Sequence, residues 1–205
     1  MKLLNFILVF IIAFALNVFP QTINYSGKTY VNQSKSYPYD GTPLLWKQDL
    51  KTAKYVANHP DMFQKMKLRK ITSFSVGSRK SWYAYNFVLQ SNYSTQSTCR
   101  AVGKYSYIFV EDSLWGTRVN QAAVDSVMNA FDNRTPANPN KGIYETDVDA
   151  FGNPPNVDGD SRIIILILNI RDGYKGSGGY TAGYFYSYNE TNQPQSNRAE
   201  IYYVD

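Results

Sequence analysis

Five carboxylates crowd one stretch of this chain: Glu145, Asp147, Asp149, Asp158 and Asp160 all fall within residues 145–160 of a protein whose net charge is +5. Such crowding costs electrostatic energy unless the groups are well hydrated or share a cation. Within it, Asn156-Val157-Asp158-Gly159-Asp160 alternates side-chain oxygens around a glycine that permits a sharp turn, as in part of a calcium loop. Asn156, Asp158 and Asp160 are therefore the candidate metal ligands, with calcium as the candidate cation. The spaced glutamate that completes an EF-hand is missing. The same residues also suit an Asp/Asn/Gly turn, in which the side chains bond their own backbone, and both readings stand at this point.

Other chemistry is limited by residue supply. His59 is the only histidine, whereas a catalytic zinc site takes two or three imidazoles, or thiolates in their place. No residue here is assigned as catalytic, and His59 is expected at a surface helix end. A Ser-His-Asp triad would need that same imidazole, and no Gly-x-Ser-x-Gly elbow accompanies it. Glu111, Asp112 and the acidic stretch could supply paired carboxylates, a weak signal without a spacing. Gly176-Ser177-Gly178-Gly179 has no helix signal after it, so a flexible loop leading to a strand at 184–186 is expected rather than a phosphate cradle. Cys99 is the single cysteine, which excludes an internal disulfide and points to burial.

The elements that must position these residues divide at Gly103. Before it, residues 21–41 are polar without period, 44–58 are weakly helical, and 71–76, 82–89 and 95–102 alternate as strands of a small antiparallel sheet, with a turn at 77–80. After it, 105–110 reads as a strand. Thr117 is placed to cap a helix whose Val119, Ala123, Val127 and Phe131 form one apolar stripe. A long loop then leads to the unbroken apolar run 163–168, a strand covered on both faces. Strand, helix and buried strand imply a parallel crossover. Residues 201–205 read as a strand directed into a further element, so a fragment is expected whose reactive centre lies beyond Asp205. The fold class is α/β (α+β).

Residues 1–20 have an early lysine, an apolar stretch and an Ala13-x-Ala15 pair, a secretory signal too short to span a bilayer once through. An exported, extracellular protein with no stable membrane anchor after cleavage is expected. The scattered basic residues do not form the single face of a nucleic-acid reader. Eighteen tyrosines and eleven phenylalanines suit a pleated sheet.

Residues Cys99 to Ser113, then Val157-Asp158-Gly159-Asp160 before Ile163-Ile164-Ile165-Leu166, then Ser196 to Asp205, resemble secreted bacterial zinc metallopeptidases of the hyicolysin type, over about residues 74–205. The resemblance implies a zincin-like fold, with a mixed sheet against an upstream helix and an active-site helix. It implies a following His-Glu-x-x-His helix, in which two histidines bind zinc and the glutamate activates the metal-bound water for peptide hydrolysis. None of those residues is in this chain. On this reading 1–20 is the signal, 21–102 a polar leader and β-rich accessory region, and 103–205 the N-terminal half of the catalytic domain. Zinc belongs to the full-length protein, whose substrate is a protein or peptide, and the fragment is inactive alone. The strand at 184–186 corresponds to the sheet edge along which zincins lay an extended substrate. The rival expectation is a noncatalytic exported module that binds a glycan or protein through its tyrosines and acidic stretch.

Overall fold

The run Ile163-Ile164-Ile165-Leu166-Ile167 is buried at every position because it is the middle strand of a seven-stranded sheet with covered faces. The computed structural model describes residues 36–67 and 73–205; the signal-like stretch and most of the polar leader lie outside them. In chain order the elements are β1 (Ser36–Asp40), α1 (Trp46–Ala57), α2 (Met62–Lys67), β2 (Arg79–Asn86), β3 (Ser91–Val102), β4 (Ser106–Glu111), α3 (Gln121–Asp132), α4 (Ile143–Phe151), β5 (Ile163–Ile167), β6 (Gly178–Phe185) and β7 (Ile201–Val204). The sheet order is β1-β6-β7-β5-β4-β3-β2. Strands β4, β5 and β7 run parallel, β6 runs antiparallel to β7, and β1 runs parallel to β6. The fold is mixed α/β, of the α+β kind. The sheet continues across Gly103, since β3 pairs antiparallel with β4.

Alternation along each strand sends one set of side chains to each face. One face gathers Trp82, Tyr107, Phe109, Leu166, Tyr184 and Tyr203. The other gathers Ile108, Val110, Ile163, Ile165 and Ile167 under Val124 and Phe131 of α3. The tyrosine richness has a specific use: Tyr184 and Tyr203 stack with centroids 4.3 Å apart, and their polar tips find partners. Tyr203 Oη donates to the Tyr83 carbonyl at 2.6 Å and accepts from Asn189 and Asn197. Tyr184 Oη accepts from the Tyr85 N–H. A ring can therefore be buried without leaving its hydroxyl unpaired.

Several local expectations are corrected. The α3 stripe is real, but the helix begins later: Asn120 accepts from the Ala123 N–H at 3.0 Å and is the cap. Thr117 instead donates to the Leu114 carbonyl inside the preceding turn. The long loop before β5 contains α4, so Glu145, Asp147 and Asp149 are helical. The polar leader ends in β1, and the glycine-rich segment is already strand from Gly178. Of the strand expected at 71–76, the first two residues lie outside the described set and the rest is not strand. Cys99 is fully buried, and burial pushes its thiol up to about 11.

The α3–α4 unit is locked to β4 through Asp132, a buried carboxylate. It accepts from the Ser106 hydroxyl at 2.9 Å and from the Lys104 N–H. Gly103 makes this possible, because a Cβ there would sit 1.9 Å from Asp132 Oδ2. Gly103→Ala must displace the carboxylate from two donors, and a loss of about 1–3 kcal/mol is expected in urea unfolding. A melt equal to the parent's would show that the carboxylate has room to move.

Candidate functional site

In sheets with parallel strands, ligands gather at the carboxyl ends of the strands, where loops converge. Here those ends are Glu111 of β4, Asn169 after β5 and Asp205 after β7, and they are laced together. Glu111 Oε2 accepts from the Asn169 N–H at 3.1 Å, and Asp205 Oδ1 accepts from the Ile170 N–H at 2.8 Å. Burial raises the Asp205 carboxyl above its usual range, against the opposing pull of Arg118.

Beside this edge the sheet face is open. Helix α3 covers β4 and part of β5, but the same face continues over β7, β6 and β1 as a groove of about 550 Å³. Ile165, Ile167, Val204 and Ala182 floor it, with Val127 of α3 and Pro38 of β1 among its walls. Tyr202 and Val204, which point to this face, are only partly buried.

The sequence-derived candidates are not brought together into one centre. Asn156 takes a left-handed backbone with φ +51°, which asparagine tolerates in turns. Asp158 Oδ1 accepts from the Asp160 N–H at 2.9 Å, and Asp160 accepts from the Arg162 N–H and the Tyr107 hydroxyl. The Asp158 and Asp160 oxygens thus turn the chain into β5, while the buried Asn156 Oδ1 accepts no hydrogen bond from the described residues. Asp158 is raised to about 6 by burial. Glu145 pairs with Lys104 and Tyr105, and Asp149 with Lys141, on the surface of α4. Glu111 and Asp112 diverge: Asp112 accepts from the Thr98 hydroxyl and from Arg79, which hold it below the usual carboxylate range. His59 lies just past the end of α1, stacked on Tyr55 with its Nδ1 2.8 Å from the Tyr55 carbonyl.

A catalytic zinc ion does not fit these side chains. The single imidazole is committed to Tyr55 and the single thiol is inside the core. Among the described residues no group of three His, Cys, Asp or Glu is placed to hold a metal. No helix among them is long and apolar enough to cross a membrane.

Sequence reasoning missed a second acidic cluster, formed across α4, the 187–190 turn and β7. Burial and then the charge of Glu200 push Glu190 well above its ordinary value. Tyr202 is raised by burial and by Glu190, Asp147 and Glu200. Glu200 is buried and accepts from the Val157 N–H. No local signal marks this cluster, because its members are more than fifty residues apart and meet only when β7 pairs with β5. Asp147 is raised from 3.8 to about 6 by burial. The folded protein therefore holds this proton more tightly than the unfolded chain does, which stabilises below 3.8 and is lost as pH rises through about 6. Asp147→Asn removes the dependence. Its melting temperature should rise relative to the parent's between pH 4 and pH 7, and a constant difference across that window would contradict the assignment.

No family model matches this chain. The neutral metalloprotease ShpI of Staphylococcus hyicus is 28% identical over 126 residues, which is 62% of this chain and 26% of that protein. The chain thus spans about a quarter of the relative's length, and the partial match supports a metallopeptidase relationship.

Proposed function

We propose that this chain is the leader, accessory region (21–102) and front half (103–205) of the catalytic domain of a secreted zinc endopeptidase. The observation that carries the reading is the open apolar groove beside α3, over β7 and β6. An apolar face of this size is covered in a stable domain. A helix with an apolar stripe fits the space beside α3, and in this reading that helix carries the metal ligands. Zinc is then held by residues other than those described here, while these residues supply the floor against which the ligand-bearing helix packs. The likeness to a neutral metalloprotease supports the same assignment. A protein or peptide substrate lies extended along β6 by strand addition, its main chain hydrogen-bonding to the strand.

Protein made from the whole gene and incubated with internally quenched peptides tests this. Cleavage that stops with a zinc chelator and returns on adding zinc is the expected result. Absence of cleavage, or cleavage indifferent to chelation, would overturn it.

The tyrosines give the glycan-binding alternative little support, since most of those described are buried or half-buried in the fold. Tyr37, Tyr39 and Tyr174 are the tyrosines among the exposed large hydrophobic residues.

A further inference from the structure

Strand β6 is not an open edge in this chain. Ser36–Asp40 lies along it in parallel register, pairing Tyr37 with Gly179, Pro38 with Tyr180 and Tyr39 with Thr181. We infer that this segment is a self-supplied plug: it occupies the edge of β6 on which an extended peptide docks, and it must leave before a peptide can bind. The inference rests on the reading of β6 as the substrate strand and concerns how that strand is kept closed.

Four features distinguish β1 from a strand that belongs to the core. Its side chains are exposed at every position but Asp40, which is half-buried. It contributes no residue to either of the two large hydrophobic clusters, whereas β7, of similar length, contributes Ile201 and Tyr203. Its hold is mainly main-chain pairing, in the parallel arrangement that is slightly weaker per residue than the antiparallel one. It contains Pro38, a residue confined to edge strands within sheets. A strand held this way is replaceable, because the hydrogen bonds that bind it are available to any extended backbone.

The acceptor side is shaped for close approach. A Cβ on Gly179 would lie 2.9 Å from the Tyr37 ring and 3.1 Å from the Tyr39 ring, so the bare backbone of β6 lets those rings cross it. The segment is anchored just downstream, where the Gly41 N–H donates to the Gly183 carbonyl at 2.9 Å and Asp40 accepts from the Thr42 N–H at 2.8 Å. At Gly41 a side chain would collide with Thr181, 2.5 Å away. Pro38 and Asp40 also form one wall of the apolar groove, opposite Val127. A peptide replacing β1 would set alternate side chains into that groove, which selects apolar residues there. Among the strands, Gly178 to Thr181 pair with β1 alone, Gly183 with both β1 and β7, and Tyr184 and Phe185 with β7 alone, while the Thr181 N–H is held by Asp172. Departure of the plug would therefore free the first half of β6 and leave the second half in the sheet.

The test uses the 205-residue chain and reads binding, so it is independent of hydrolysis. A fluorescein-labelled peptide of residues 36–42 is the probe, followed by anisotropy. Tyr39→Pro removes a main-chain donor from the plug. The pair Pro38→Cys with Tyr180→Cys, opposed in register, locks the plug when oxidised, and Cys99 is too buried to compete. The expected result is binding at least tenfold tighter to Tyr39→Pro than to the oxidised pair. Equal binding to both, or binding to neither, would overturn the inference. Hydrogen exchange in the unsubstituted chain gives a second reading that needs no variant. Amides of 178–180 should exchange at least tenfold faster than that of Tyr184, which faces β7, and equal protection would count against a plug. Peptide cleavage by the whole-gene protein without probe binding here would sink the plug alone. Probe binding without cleavage would sink the peptidase reading alone.

Discussion

Phe109→Ala is expected to remove a large share of this protein's stability. Phe109 is fully buried in β4, the strand next to the sheet's centre. Its ring meets Phe74 at 5.1 Å and Trp82 at 5.2 Å, both edge to face. Truncation removes the transfer energy of the ring and leaves a cavity that the rigid β2–β3–β4 ladder cannot close, a loss of about 3–5 kcal/mol. Against a total stability of about 5–15 kcal/mol, that is a large share. Urea unfolding followed by circular dichroism measures it. A midpoint within error of the parent's would mean that the aromatic cluster is not the keystone of this face.

Val204→Asp should have two very different effects depending on what surrounds it. In the 205-residue chain its side chain lines the open groove and keeps contact with water, so the cost is about 1 kcal/mol or less. In the whole-gene protein the proposed helix covers this position, and the substitution buries a carboxylate with no partner. That carries a penalty of several kcal/mol, and peptidase activity should fall at least a hundredfold. Comparable small effects in both proteins would show that nothing packs on the groove.

How much of this was legible in the sequence varies with how local the signal is. Strand β5 could be read because both of its faces are covered, leaving five consecutive apolar residues. The α3 stripe was legible for a similar reason, but its start was not, because Thr117 and Asn120 are both good capping residues and only tertiary context chooses between them. Helix α4 was hidden by its own composition. Its acids read as part of a long loop, although Ile143 and Tyr144 pack in the cluster that α3 covers. Strand β1 carries no apolar alternation, since its order comes from pairing with β6 about 140 residues later. The same non-locality hid the groove. Its floor joins residues from three strands, and no single segment announces that one face is left open.

The central claim is that the sheet this chain builds is an indispensable part of a peptidase domain. Hydrolysis of a quenched peptide by the whole-gene protein, compared with the same protein shortened to begin after Asp205, tests it most directly. The account predicts a loss of at least a thousandfold in the shortened protein, since the ligand-bearing helix would have no sheet to rest on. Full activity without these residues would contradict it.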